Sequence, residues 1–298
     1  MTARARNPVA WLAFVIIPVL LVGIVMLQVR IDAQQGALAK QSDELLVQSG
    51  PLLKKLSLGY DALLGDIYWT RVVQYYGGKL STTDRDYRLL APMLDVATTL
   101  DPNLVVAYHL GSFFLSERQG GAGRPDLAVD LIKKGIAANP TSWQLASDLG
   151  FLYYIRLKDY EKASAAYFET SKIPGAPQLF KILAARIASK GGAIETSRMI
   201  WKEVYETTQD PKVKEKAVEE LKGLKAQSDE LQLDQLAEEY HTRFGRYPQS
   251  VRQMVEERMI PGVPVDPDGF AYILGPDGKS RLDPKSTVTI DLGPTPRQ

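Results

Sequence analysis

The feature that most constrains the fold is a pair of helices that the sequence repeats, with the same spacing of small and large side chains inside each helix and a longer turn in the first copy. In the first copy these positions are Ala107, Leu110, Gly111, Phe114, Ala128, Ile132, Gly135 and Pro140, and in the second they are Ala146, Leu149, Gly150, Tyr153, Ala163, Tyr167, Thr170 and Pro174. Residues three and four positions apart share one face of a helix. The pattern therefore predicts paired helices whose axes approach closely at the small residues.

Two further stretches follow the pattern more loosely. One carries Ala184, Ala185, Ala188, Ser197, Trp201 and Val204 before Pro211, and an earlier one places residues 64–78 before Leu90, Leu94, Ala97 and Pro102. Stacked repeats of this kind bury a continuous core between neighbouring pairs. The alternative is a helical bundle without a repeat, in which the alanines and prolines recur by coincidence.

These residues resemble the tetratricopeptide repeat (TPR) family, in which Leu-Gly and Tyr mark the first helix and Ala, Phe, Ala and Pro mark the second. The resemblance implies a TPR-like α-solenoid of about 3–4 helix pairs over residues 52–211. From residue 212 to 244 the helical period continues with many charges, which predicts one or two capping helices with breaks at Gly223 or at Ser228 and Asp229.

A solenoid of this family binds other proteins along the concave surface that its first helices line. The resemblance therefore implies a protein-binding concave face, formed by residues that point away from the contacts within each pair. These residues are Tyr108, Ser112, Ser147, Phe151, Tyr154, Arg186 and Lys190. Aromatic and arginine side chains are the types that anchor interfaces. For Phe151 and Tyr154, packing against neighbouring helices remains an equal alternative.

The N-terminal part contains an apolar run, residues 9–29, without a charged side chain. As a helix this run is long enough to span a hydrocarbon core of about 30 Å. Arginines before it place residues 1–8 in the cytoplasm by the positive-inside rule, so that the chain from the juxtamembrane linker at residues 30–51 onward lies across the membrane. The alternative is a cleaved signal peptide, with residues 37–39 as the cleavage motif.

The C-terminal segment, residues 245–282, has a different character. Turn-forming residues flank the short run from Phe270 to Leu274, which predicts a small β-hairpin after a short helix. Residues 237–274 are similar to the end of the soluble region of type II secretion pseudopilins, where a Gly-Arg-Tyr-Pro-like turn ends a helix and an Asp-Pro-x-Gly turn opens a hairpin. This similarity implies a shared local unit rather than a pilin.

Three aspartates of this segment, Asp266, Asp268 and Asp277, are candidates for calcium ligands, because hard cations prefer carboxylate oxygens on loops. The main interpretation is that they form tight turns. We expect the remaining residues, 283–298, to form a flexible tail.

Composition limits the chemistry. The chain has no cysteine, two histidines and a net charge of +1, which argues against thiolate chemistry and against nucleic acid as a partner. His109 and His241 have no partner motif, so we expect packing or surface roles for them. No catalytic constellation and no cofactor site is predicted. If the protein were an enzyme with an unrecognised site, a deep pocket with carboxylates such as Asp61 and Asp66 would be expected.

Together these features predict a mainly α protein with an N-terminal transmembrane helix, a TPR-like solenoid and a small C-terminal α+β hairpin segment. The expected function is that of a scaffold or assembly factor in a bacterial inner membrane, with its bulk in the periplasm and a protein partner in an envelope complex such as a pilus or secretion machine. The alternative is a periplasmic holdase or maturation factor that presents clients to an envelope enzyme.

Overall fold

A computed structural model describes residues 22–27, 30, 49–82 and 86–290. The described part is mainly α-helical with one small two-stranded sheet, which confirms the predicted class. The chain divides into two compact units, the first ending at Leu104 and the second beginning at Val105.

The predicted anchor, residues 9–29, lies mostly outside the described residues. Of that run the structure describes residues 22–27, which are helical. In the part of the chain that the structure describes, no helix is both long and apolar enough to cross a bilayer.

The first unit contains α1 (Gly50–Leu56), α2 (Asp61–Leu80) and α3 (Leu90–Leu100). Both α1 and α2 pack against α3. Its core cluster is formed by Tyr68, Val96, Ala97 and Leu100. Gly65 on α2 allows this packing, because a Cβ at that position would stand only 2.9 Å from the Cβ of Asp101.

The second unit begins with a series of helices in which each one packs against the next. These are α4 (Val105–Ser116), α5 (Pro125–Ala138), α6 (Trp143–Phe151), α7 (Tyr160–Lys172), α8 (Leu179–Lys190), α9 (Ile194–Thr207) and α10 (Pro211–Phe244). Side-chain caps start several of them: Ser142 accepts from the Leu145 N–H, Asp159 from Lys162 and Asp210 from Lys212. Such caps satisfy N–H groups that have no partner inside the helix.

Close approaches occur at the small residues of the repeated pattern. A Cβ at Gly135 on α5 would stand 2.7 Å from the Tyr108 ring of α4. Ala107, Ala128 and Ala163 are fully buried. The small residues therefore bring the helices of each pair into contact, as the spacing predicted.

Helix α6 continues into a π-helical turn, Leu152–Leu157. Lys158 ends this turn with a left-handed backbone, φ 58°, and Asp159 then caps α7. A π-turn closes i→i+5 hydrogen bonds, so it rotates the side chains that follow it relative to an α-helix. The sequence gives no indication of this turn.

Helix α10 is one continuous helix of 34 residues, so the predicted breaks at Gly223 and at Ser228 and Asp229 are wrong. No proline interrupts the helix after Pro211. Gly223 does not break the helix and instead allows a close contact with the C-terminal segment. A Cβ at Gly223 would stand 2.4 Å from the carbonyl oxygen of Thr289.

The C-terminal segment packs on the second half of α10. Helix α11 (Val251–Glu256) is followed by β1 (Ile273–Leu274) and β2 (Ser280–Arg281), which pair antiparallel. A core cluster joins α10, α11 and the hairpin through Leu233, Ala237, Tyr240, Val251, Met254, Tyr272 and Leu274. The predicted helix and hairpin are therefore present.

The segment that follows the hairpin is held in place as far as residue 290. Thr287 donates from its backbone N–H to Asp268, at 2.9 Å, and Thr289 lies against Gly223. The prediction of a flexible tail is therefore wrong for residues 283–290, and residues 291–298 lie outside the described part.

Candidate binding groove

Four of the seven predicted concave-face residues line one cleft of about 540 Å³ between the end of α6, its π-turn and α8. They are Phe151, Tyr154, Arg186 and Lys190, and the wall also includes Ile155, Tyr167, Leu183, Ile187, Ser189 and Glu220. The structure thus brings together side chains that lie more than thirty positions apart in the sequence.

Three of the predicted residues take other positions. Tyr108 has no exposed surface and packs on Gly135, so it belongs to the core and cannot contact a partner in this conformation. Ser112 is also buried and donates to the carbonyl oxygen of His109 at 2.8 Å. Ser147 is half-buried and donates to the Gln144 carbonyl, at 2.7 Å. Tyr108 and Ser112 follow the period of α4 onto the buried side of that helix.

A second cleft, of about 390 Å³, lies between α4 and α6. It is lined by His109, Leu110, Ser112, Phe113, Ser116, Asp148, Phe151 and Leu152. Phe151 borders both clefts, so they adjoin at its side chain. We call the two clefts together the Phe151 groove.

The Phe151 groove presents apolar side chains to solvent. Leu110, Phe113, Phe151 and Ile155 are between 36% and 46% exposed. Partly exposed aromatic and aliphatic groups in a concave surface gain free energy when a partner covers them. The groove is therefore suited to bind an apolar segment.

Arg156 fixes the two phenylalanines of the groove. Its guanidinium lies 5.6 Å from the centre of the Phe113 ring and 5.8 Å from that of Phe151, and it donates to Glu117 at 2.7 Å. Backbone N–H donation from Gln119, followed by the Arg156 contact, lowers the pKa of the Glu117 carboxyl. A cation between two rings holds both in place.

Arg156 was not predicted from the sequence. It follows Phe151 by five positions, and in an α-helix such residues point in different directions. The π-turn changes the rotation of the residues that follow Phe151, and the Arg156 guanidinium comes to lie over the Phe151 ring. Only the structure therefore shows that Phe151 and Arg156 are neighbours.

His109 and Asp148 link α4 to α6 at the floor of the second cleft. The His109 Nδ1 atom lies 2.6 Å from Asp148 Oδ2. Burial raises the pKa of the Asp148 carboxyl, and the hydrogen bond from His109 opposes that shift. The pair connects α4 with α6, a contact that the sequence did not predict for His109.

The other end of the groove carries cations. Lys190 donates from Nζ to the Tyr154 hydroxyl at 2.8 Å and lies over the rings of Tyr154 and Tyr160, 4.9 and 5.6 Å from their centres. Arg186 is exposed and contacts Glu220 at 3.4 Å. Burial raises the pKa of Tyr167 in the same wall to about 12, so this phenol stays neutral.

A separate cleft of about 580 Å³ lies between α7 and α9, with Phe168 and Met199 among its lining residues. Two of its carboxylates are paired within the chain, Glu169 with Lys172 and Glu203 with Lys181. This cleft exposes fewer aromatic side chains than the Phe151 groove, and none of the predicted residues lines it.

The three aspartates considered as calcium ligands accept hydrogen bonds from groups of the chain itself. Asp268 accepts from Lys222 and from Thr287, which lower its pKa to about 2. Asp277 accepts from Arg281, and Asp266 accepts from the N–H groups of its own turn. Within the described ranges, no group of three acidic or histidine side chains is arranged to hold a metal ion.

The residues named for an unrecognised active site also lie elsewhere. Asp61 accepts a hydrogen bond from Ser57, Asp66 is exposed, and neither borders the clefts described above. His241 stacks on the ring of Tyr247, 4.4 Å between centres.

No protein-family model and no curated protein matches this sequence.

Proposed function

We propose that this protein is a membrane-anchored, TPR-like scaffold that binds an extended segment of a partner protein in the Phe151 groove. The observation that supports the proposal most directly is the joining of two clefts at one exposed phenylalanine, with apolar side chains along one part and Lys190 and Arg186 at one end. The partner belongs to an envelope assembly such as a pilus or secretion complex.

The groove defines the chemistry of the segment that it binds. Apolar side chains of the partner cover Phe113 and Phe151, where Arg156 already holds the rings in position. A carboxylate of the partner approaches Arg186, whose side chain is exposed at the end of the groove where Lys190 also lies. Aromatic anchors surrounded by polar groups are the usual arrangement of interface hot spots.

The packing of consecutive helices supports the solenoid part of the proposal. From α4 to α10 every helix contacts the next, and glycine meets an aromatic ring in two successive pairs, Gly135 with Tyr108 and Gly150 with Tyr167. Repeats that contact only their neighbours have this organisation.

The anchor part of the proposal rests on the uncharged run at residues 9–29. A phosphatase that is active only outside the cytoplasm, fused after Gln298, tests it. We expect an active fusion whose activity stays in the membrane fraction. An inactive fusion contradicts the orientation, and soluble activity indicates that the run is cleaved as a signal peptide.

The groove is tested by replacing Phe151 with glutamate in the full-length chain. The matched control is Leu231→Glu, an apolar residue on α10 that is 51% exposed and does not border the groove. A defined partner should co-purify at fixed stoichiometry with the wild type and the control and be lost with Phe151→Glu. Many substoichiometric clients instead would indicate the holdase alternative, and unchanged binding would remove the groove from the proposal.

A further inference from the structure

The turn between α1 and α2 exposes an unusual run of apolar side chains. Leu56 is 65% exposed, Leu58 88% and Tyr60 68%. Leu58 is the most exposed large apolar residue in the part of the chain that the structure describes. Exposed side chains of this size are costly in water when they lie next to one another.

The exposed run continues along both helices. Leu52 on α1 lies four positions before Leu56, and Leu63 and Ile67 on α2 lie four positions apart, so each pair shares a helix face. We call Leu52, Leu56, Leu58, Tyr60, Leu63 and Ile67 the apolar turn patch. The patch is 40% to 88% exposed throughout.

The adjacent faces of the same helices, about 100° around each axis, are packed. Leu53, Leu64 and Tyr68 contact the core cluster that α3 completes. The apolar turn patch therefore consists of exposed side chains beside the packed faces of α1 and α2, and these side chains are not part of the core cluster. No residue in the described ranges covers it.

The backbone conformation at Leu58 does not favour leucine, so the requirements of the turn do not explain the residue type at this position. Leu58 has φ 53°, a left-handed conformation that is costly for a residue with a Cβ. The other described non-glycine residues with positive φ are Lys158 and Arg258, which carry long charged side chains into solvent. At the same backbone geometry, the α1–α2 turn carries an apolar side chain.

The surroundings of the patch are those of a lipid interface. Lys55 is exposed in the last turn of α1, and Tyr60 follows the tip, whereas the neighbouring Lys54 donates to the Thr99 carbonyl of α3. Lysine and tyrosine are enriched where an apolar surface meets lipid headgroups, because their apolar parts stay in the acyl region and their polar ends reach water.

The position in the chain brings the patch within reach of the bilayer. Leu52 follows Val29, the end of the uncharged run, by 23 residues (52 − 29). A chain of that length spans at most about 80 Å even when fully extended. The anchor therefore keeps the patch at a high local concentration near the membrane surface.

We propose that the apolar turn patch inserts into the interfacial zone of the lipid bilayer, with Leu58 at its deepest point. This inference depends on the anchor in the proposed function. Insertion of the turn residues Leu56, Leu58 and Tyr60 orients the first unit against the membrane surface, so the patch is a second membrane contact in addition to the anchor.

The chain contains no cysteine, so single cysteines can be labelled without a background mutation. Full-length Leu58→Cys, Lys158→Cys and Val22→Cys variants are labelled with an environment-sensitive fluorophore in vesicles of phosphatidylethanolamine and phosphatidylglycerol. Spin-labelled lipids then quench the fluorophores that touch the bilayer. Lys158 is the matched control, because it has the same backbone conformation and is exposed.

We expect blue-shifted emission and several-fold stronger lipid quenching at positions 58 and 22 than at position 158. Quenching at 22 without quenching at 58 overturns this inference and leaves the anchor intact. Absence of quenching at both positions overturns the anchor and this inference with it. Blue-shifted but unquenched emission at 58 shows a protein contact, such as a second copy, and also overturns the inference.

A second experiment avoids labelling position 58, so that the fluorophore cannot itself cause the insertion of the tip. Here the label is placed at Leu63→Cys. The substitution Leu58→Lys gives the tip a long charged side chain, as at Lys158 and Arg258, the other described non-glycine residues with positive φ. Several-fold loss of quenching at position 63 is the expected result. Unchanged quenching would show that Leu58 does not carry the insertion.

Discussion

Gly150 lies so close to the face of Tyr167 that a Cβ on the glycine would stand 2.9 Å from three atoms of the ring. The two residues belong to α6 and α7, the two helices of one predicted pair. The Tyr167 ring in turn stacks on Phe180 of α8 at 5.8 Å between centres. One glycine therefore allows an aromatic side chain to connect one helix pair to the next.

Replacing Gly150 with alanine should destabilise the protein, although alanine is the better helix former. In an open helix the change stabilises by about 0.5–1 kcal/mol. Here the methyl group overlaps the Tyr167 ring, and overpacking of a filled core costs about 1–3 kcal/mol. Hydrogen exchange of the α6 and α7 amides in the full chain measures the change in opening free energy.

The control for this prediction is Gly77→Ala on α2, where a Cβ would meet no atom within 4 Å. It should leave the exchange of α2 unchanged or slow it. If Gly150→Ala slows exchange in the same way as Gly77→Ala, the tight contact with Tyr167 does not exist.

The Asp148 carboxyl should give the protein a pH-dependent loss of stability. Burial raises its pKa above the ordinary 3.8, so ionisation is harder in the folded state than in the unfolded state. This group stabilises the fold fully below pH 3.8, and its contribution is lost as pH rises through the raised value. Asp148→Asn has no carboxyl to ionise and should not show that loss.

The measurement is the midpoint of urea denaturation of wild type and of Asp148→Asn, determined at a series of pH values that begins at about 3.5. The stability of the asparagine variant relative to that of wild type should increase as pH rises. A difference that does not change with pH would show that the carboxyl is not buried as described. Asp126→Asn is a suitable control, since that carboxyl is more than half exposed.

Removing the Tyr272 hydroxyl should weaken the contact of the hairpin with α10. This hydroxyl donates to Asp229 at 2.8 Å in a buried position, and burial together with the nearby carboxylate raises the pKa of the phenol. Tyr272→Phe removes a buried donor from Asp229, which costs about 1–3 kcal/mol. The midpoint of urea denaturation measures this loss.

Tyr247→Phe is the matched control, since that hydroxyl donates to Glu238 at 2.9 Å at an exposed position. We expect little change for this variant. Equal losses for the two variants would indicate that the Tyr272 contact is no more important than a surface hydrogen bond.

Gly223→Ala should detach the segment that follows the hairpin. A methyl group at this position would overlap the Thr289 carbonyl oxygen, while α10 itself tolerates alanine. Limited proteolysis should therefore cut residues 283–290 faster in this variant, with α10 intact. Gly262→Ala, where a Cβ meets nothing within 4 Å, should be cut at the wild-type rate. Equal rates in both variants would contradict the contact.

The sequence predicted the helix pairs because small residues such as Gly150 recur at helical spacing. Closely packed helices require such residues where their axes approach, so the pattern can be recognised in the sequence. It did not predict the π-turn at Leu152–Leu157, since hydrogen-bond register in a helix leaves no signature in residue type. Without that turn, Arg156 could not be placed between Phe113 and Phe151. Tyr108 was misplaced for a related reason: an aromatic side chain on a predicted first helix fits either a groove or the space above a glycine, and Gly135 selects the second.

The continuous α10 shows a second limit of sequence reasoning. Gly223, Ser228 and Asp229 have the composition of a break, but the helix continues through them, and the C-terminal segment contacts it at Gly223 through Thr289 and at Asp229 through Tyr272. Contacts between residues far apart in the chain thus override local preference.

The central claim, that the Phe151 groove binds a protein partner, is tested most directly by photo-crosslinking in intact cells. A photoreactive amino acid replaces Phe151 in the full-length chain, and separate chains carry it at Leu231, which is exposed outside the groove, and at the buried Tyr108. We predict one dominant protein adduct from position 151 and none from the other two. A diffuse series of adducts at 151 would contradict the scaffold and favour a holdase, and no adduct at 151 would show that the groove is not a protein-binding site.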